Sequence, residues 1–203
     1  SPLGVPAHEF GHLLGLADLY DRRSTTLLGG GLGDWSLMAS GAWLQAGSAP
    51  ADLDAASKLE LGFVDAVVPQ ANARALPLAA ASGTQAGTVY KVWTNGRAGF
   101  EYLVIENRQP RDLDRLLPGG GMLVYHVNLQ RANNDDPESQ RVALLQADGR
   151  RDIERRINNG DEGDAYPGLA GRLDAGTTPS SRADSGADTQ IAISGISAPT
   201  GRM

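Results

Sequence analysis

One five-residue stretch constrains this chain more than anything else in it: His8-Glu9-Phe10-Gly11-His12. Two residues four apart on a helix sit about 40° from each other around its axis, so both imidazoles project from one face. Two neutral ring nitrogens about one turn apart can share a zinc ion. Glu9 projects to the side, where its carboxylate can reach a metal-bound water without ligating the metal. Zinc brings the pKa of that water to about 7, and the carboxylate takes the proton as the water attacks a carbonyl. The surrounding residues predict a helix over 3–15. Phe10, Leu13 and Leu14 have the spacing of one helical face, Pro6 suits a first turn, and Gly15 is a natural stop.

A zinc hydrolase needs a third protein ligand and an open fourth position. The continuation Leu13-Leu14-Gly15-Leu16-Ala17-Asp18 offers one. Gly15 lets the chain leave the helix through a left-handed conformation, and Asp18 can then swing back to the metal. The spacing is that of the long metzincin motif with Asp in place of its last His, and Asp is an acceptable zinc ligand. The bland alternative is an amphipathic helix with solvated histidines. About twenty residues further on, beyond a glycine-rich loop, lies Asp34-Trp35-Ser36-Leu37-Met38-Ala39-Ser40-Gly41. Met38 is placed to be the methionine of a tight turn that forms the apolar floor of such a zinc site; a plain core methionine is the other reading.

Composition narrows the remaining classes. The chain of 203 residues has no cysteine, which excludes a disulfide framework, a thiolate-held iron–sulfur cluster, a Cys-based zinc knuckle and a cysteine nucleophile. With 24 acidic and 18 basic side chains, its net charge of −6 argues against nucleic acid and anionic membranes as partners. No apolar run is long enough to span a bilayer. The chain begins at Ser1 without an initiator Met, so the lack of a targeting segment says nothing about where the protein goes.

Beyond the motif, a second helix is expected over 52–61, capped by Asp52 and closed by Gly62. Strands are expected over 88–93 and 100–106, joined through Asn95-Gly96 as a hairpin, and near 64–68, 122–129, 142–146 and 190–194. Residues 158–188 read as long polar loops. The fold class is α+β: a helical N-terminal third followed by a strand-rich antiparallel region. The expected division is a zinc-binding subdomain over 1–68 and a strand-rich continuation over 69–203.

Asn158-Asn159-Gly160-Asp161-Glu162-Gly163-Asp164 concentrates oxygen donors, so Asp161 and Asp164 are candidate calcium ligands, although the spacing is not an EF-hand and a solvated acidic loop reads equally well. His126, inside a strand, is read as a structural histidine. Tyr20, Tyr102, Tyr125 and Tyr166 are conceivable transition-state donors among which the sequence does not choose. Arg150, Arg151, Arg155 and Arg156, interleaved with acids, read as a solvated mixed-charge helix face.

His-Glu-Phe-Gly-His-Leu-Leu-Gly-Leu-Ala-Asp-Leu-Tyr-Asp (8–21) and Gly-Asp-Trp-Ser-Leu-Met-Ala-Ser-Gly (33–41) resemble the immune inhibitor A family of secreted bacterial zinc metalloendopeptidases. Weaker similarity runs through Ser57–Phe63, Ile105–Gln109, Leu117–Gly121, Tyr125–Val127, Leu144–Gly149 and Gly160–Asp164. The resemblance implies the C-terminal part of a zincin-like catalytic domain, with His8, His12 and Asp18 binding Zn2+, Glu9 as catalytic acid/base, and a structural Ca2+. It implies internal cleavage of protein or peptide substrates outside the cell. Pro6 departs from the family pattern and is expected to shorten the helix. In this architecture the sheet that pairs with substrate precedes the zinc helix, so that half is expected to lie upstream of Ser1 and the isolated chain to be weakly active or inert. The competing reading is a catalytically silent, calcium-stabilised extracellular binding module. The complete set of His8, Glu9, His12 and Asp18 weighs against it.

Overall fold

Helix α1 spans Gly4–Leu13. In this computed structural model, which describes residues 2–25, 28–81, 87–169 and 171–203, Pro6 sits inside the first turn, where a missing N–H costs nothing. It therefore does not shorten the helix. Gly15 ends it with φ +104°, the left-handed backbone that only glycine adopts freely. The buried residues of α1 are Gly4, His8 and Gly11. The apolar residues face outwards, with Phe10 58% and Leu13 82% exposed. α1 thus offers its neighbours backbone and one imidazole instead of bulk. A Cβ at Gly11 would stand 2.6 Å from Met38 Sδ, so glycine is what lets the helix settle on that methionine.

Helix α2 spans Ala55–Glu60, and its cap is Asp54, whose side chain accepts from Ser57 N. The cap expected at Asp52 is displaced by two residues. Asp52 pairs instead with Lys58 Nζ at 2.6 Å. Gly62, at φ +69°, closes the helix as expected.

Four strands form an antiparallel sheet in the order β1-β2-β3-β4: β1 Val89–Trp93, β2 Glu101–Arg108, β3 Gly121–Asn128 and β4 Val142–Leu144. Asn95 (φ +54°) and Gly96 (φ +65°) turn the chain between β1 and β2, as the Asn-Gly pair requires. The strand expected near 64–68 reduces to one bridge, Val67 to Tyr90. The one near 190–194 reduces to Ile193–Ser194 (β6), paired with Arg172–Leu173 (β5).

Alternation along the strands fills both faces. Val89, Tyr102, Val104, Leu123, Tyr125 and Val127 pack with Leu32, Trp35, Met38 and Ala55, so this core draws on residues from both sides of position 68. Tyr90, Leu103, Ile105, Met122 and Val124 pack with Tyr166, Leu173 and Ile191. At the outer edge, the Asn134 side chain takes the place of a further strand: its Nδ2 donates to Val142 O at 2.6 Å and its Oδ1 accepts from Val142 N at 3.1 Å.

The mixed-charge helix expected around 148–156 is absent. Those residues form turns in which Arg151 and Arg156 take positive φ and Ile153 is fully buried. Among the described residues no helix is long and apolar enough to cross a membrane. Short helices with antiparallel sheets make the class α+β.

Candidate metal centre

α1 and the turn after it bring His8, His12 and Asp18 to one point. His8 Nε2 and His12 Nε2 are 3.1 Å apart, and each lies 3.2 Å from Asp18 Oδ1. The other nitrogen of each ring is committed. His8 Nδ1 meets Leu37 O at 2.8 Å and His12 Nδ1 meets Leu16 O at 2.8 Å. A carbonyl oxygen can only accept, so each Nδ1 carries a proton, and in the neutral ring Nε2 then presents a lone pair. With both rings neutral, three acceptors face one another with no proton to share. That arrangement is unfavourable alone and suits a cation. Tetrahedral zinc with N and O ligands at its usual bond lengths sets its ligand atoms about 3.4 Å apart, close to the separations found here. Carbonyl anchoring of the distal nitrogen is also how metal-binding imidazoles are held in orientation. The residues fit the metal that the motif implies.

Glu9 follows His8 in α1 and is exposed. Tyr20 lies next to His8, with ring centroids 6.2 Å apart. Burial first, then the Asp18 carboxylate and the charge of Glu9, push the Tyr20 hydroxyl above its ordinary pKa. Of the four tyrosines considered from the sequence, this one stands at the cluster.

The floor is Met38, fully buried, with its sulfur beneath Gly11. The turn that carries it holds the site through its backbone. Leu37 O receives His8, and Met38 O accepts from Leu19 N at 2.9 Å, next to Asp18. Ser36 Oγ accepts from Met38 N at 3.0 Å and donates to Asp54 Oδ2 at 2.6 Å. Ser36 and Asp54 were not singled out from the sequence. The available signal was Asp54 three residues before Ser57, the spacing of a side-chain cap.

A buried ion cluster ties the sheet to the same turn. Arg108, 1% exposed, donates to Asp114 Oδ2 through Nε at 2.6 Å and to Trp35 O through Nη1 at 3.2 Å. Glu106 Oε1 accepts from Tyr125 OH at 2.8 Å and from Ala55 N at 3.1 Å. Burial opposes the charge on Arg108, but Glu106 and Asp114 outweigh it and hold its pKa well above the ordinary value.

Asp161 and Asp164, the calcium candidates, do not converge on one point. They cap one another across the short turn Glu162–Asp164. Asp164 Oδ2 accepts from Trp35 Nε1 at 2.9 Å and from Asp161 N at 2.8 Å. Asp161 groups with Asp148 and Asp152 instead. His126 is engaged by carboxylates on both sides, Glu101 at 2.7 Å and Asp184 at 3.5 Å, as suits a structural histidine.

Residues 1–61 match the family model described as immune inhibitor A peptidase M6, catalytic domain. A comparison with curated proteins finds no match. The matched span contains the whole triangle, Glu9, Met38 and the cap of α2. Through that span the N-terminal part of the chain is related to the immune inhibitor A peptidases.

Proposed function

We propose that the chain carries the metal-binding portion of a zinc-dependent endopeptidase that cuts internal peptide bonds of proteins outside the cell. The observation that supports this most is the His8–His12–Asp18 triangle, in which two imidazole nitrogens and a carboxylate oxygen converge to within 3.2 Å of one another. The family match adds a metallopeptidase relation and protein substrates. His8, His12 and Asp18 would hold the ion. Bound there, zinc supplies a Lewis acid that polarises a carbonyl and lowers the pKa of water to about 7.

The protein's own groups do the rest. Two neutral imidazoles and one carboxylate bring a single negative charge, which partly offsets a divalent ion. The Leu37 and Leu16 carbonyls keep both rings in the tautomer that presents Nε2. Glu9, exposed and off the ligand face, is the group that accepts a proton from the attacking water and returns it to the leaving amine.

The native protein should contain about one zinc per chain. Glu9→Gln should keep that zinc and lose casein hydrolysis by at least about a hundredfold. Casein cleavage by Glu9→Gln at the parent rate would overturn the role of Glu9. A native protein without stoichiometric zinc would overturn the metal centre.

A further inference from the structure

We infer that Asp54, which touches no candidate metal ligand, positions two of them: through the Ser36 hydroxyl it fixes the Leu37–Met38 backbone that holds His8 on one side and the Asp18 segment on the other. The inference rests on the metal-centre reading above.

Asp54 is fully buried and forms no ion pair among the described residues. A buried carboxylate is costly unless its oxygens are well satisfied. Capping α2 uses Oδ1, which accepts from Ser57 N at 2.9 Å. The other oxygen accepts from Ser57 Oγ at 2.8 Å and from Ser36 Oγ at 2.6 Å. Only the last of these leads away from the helix.

The direction of that bond is fixed by chemistry. A carboxylate accepts and an amide N–H donates, so the Ser36 hydroxyl gives its proton to Asp54 and receives Met38 N. The next two residues then spend every backbone polar group: three reach other segments and Met38 N returns to Ser36. Leu37 N donates to Asp52 O at 3.1 Å, just before α2. Leu37 O takes His8 Nδ1, Met38 N takes Ser36 Oγ, and Met38 O takes Leu19 N. The Met38 turn is a bracket with its foot on the entry to α2 and one arm on each ligand-bearing segment. Removing the Ser36 hydroxyl cuts the tie of that foot to Asp54, leaves the Leu37 N bond to Asp52 O, and keeps both the ligands and the helix cap in place.

The test compares two serines on the same carboxylate. Ser36→Ala cuts the link to the turn; Ser57→Ala removes the other hydroxyl and leaves the link. Zinc affinity is measured by competition with a chromophoric chelator, and the fold by thermal melting of the metal-free proteins. Ser36→Ala should weaken zinc binding about tenfold or more, the range found when an outer partner of a metal ligand is lost. Ser57→Ala should stay within about twofold of the parent while lowering the melting temperature comparably. Ser36→Cys, of similar shape and with a weak donor, should fall between. If Ser36→Ala does not melt cooperatively, Ser36→Cys against Ser57→Ala makes the same comparison. A parent that binds zinc together with a Ser36 variant that binds it equally tightly overturns the positioning role alone. A parent that binds no zinc overturns the metal centre and this role with it.

Discussion

His8 Nε2 faces His12 Nε2 at 3.1 Å, while the Leu37 and Leu16 carbonyls engage the opposite nitrogen of each ring. The apposition is held by two carbonyls on the far sides of the rings and by Asp18, which adds a third acceptor. A ligand that binds only the folded form stabilises it by mass action, by about 2.7 kcal/mol at a hundredfold excess over Kd. Zinc should raise the melting temperature of this chain and a chelator should reverse the rise. His12→Ala should show less than half of the shift. A parent melting curve indifferent to zinc would count against the centre.

Gly11→Ala sets two effects against each other. Alanine favours an α-helix over glycine by about 1 kcal/mol. Its Cβ would lie 2.6 Å from Met38 Sδ, and Met38 is fully buried, so the sulfur has little room to move. Overpacking of this kind costs about 1–3 kcal/mol. We expect net destabilisation in urea unfolding. A variant more stable than the parent would show that Met38 repacks freely.

Arg108 and Arg151 both pair with carboxylates but should differ when replaced. Arg108→Met leaves buried Glu106 and half-buried Asp114 without their cation, a loss of about 3–5 kcal/mol. The Arg151–Glu138 pair is exposed on both sides, and Arg151→Ala should cost less than about 1 kcal/mol. Urea unfolding of the two variants orders them directly.

Asp164 gives the stability a pH dependence of known sign. Burial, with the Asp161 and Asp148 charges adding to it, pushes its carboxyl up to about 7 from 3.8, although Trp35 and Asp161 N donate to it. Burial raises Asp34 to about 6. A folded pKa above the unfolded one means that the native state binds more protons between the two values, so stability from these groups falls as pH rises from about 4 to about 7. Asn can accept both hydrogen bonds without a charge. Asp164→Asn should therefore gain on the parent between pH 5 and pH 8, by on the order of 1–3 kcal/mol. An equal difference in melting temperature at the two pH values would refute this.

The residues of the candidate site are legible because their geometry is local: an i, i+4 pair, a glycine exit and an aspartate three residues later. What surrounds them is not local. The spacing of Phe10, Leu13 and Leu14 marks a face but does not say whether a neighbour lies on it; here the ligand face is the one that packs, and small residues let it. Asp52 and Asp54 both satisfy a capping rule. The choice falls to Asp54 because its second oxygen is claimed by Ser36, 18 positions earlier in sequence. Around 148–156 the charges looked like a solvated helix. In the fold Arg151 reaches Glu138 and Arg156 reaches Asp21, partners that no short window contains.

Asn134 also bears on how the protein behaves in company. A sheet edge with open N–H and C=O groups invites another chain to add to it. On β4 the outward groups of Val142 are both taken by one side-chain amide, whose Nδ2 also reaches Leu19 O at 3.3 Å. The plug that denies this edge to a neighbouring molecule is thus fastened to the segment that follows Asp18. One amide closes the β4 edge and holds the segment after Asp18, so any change that displaces Asn134 releases both.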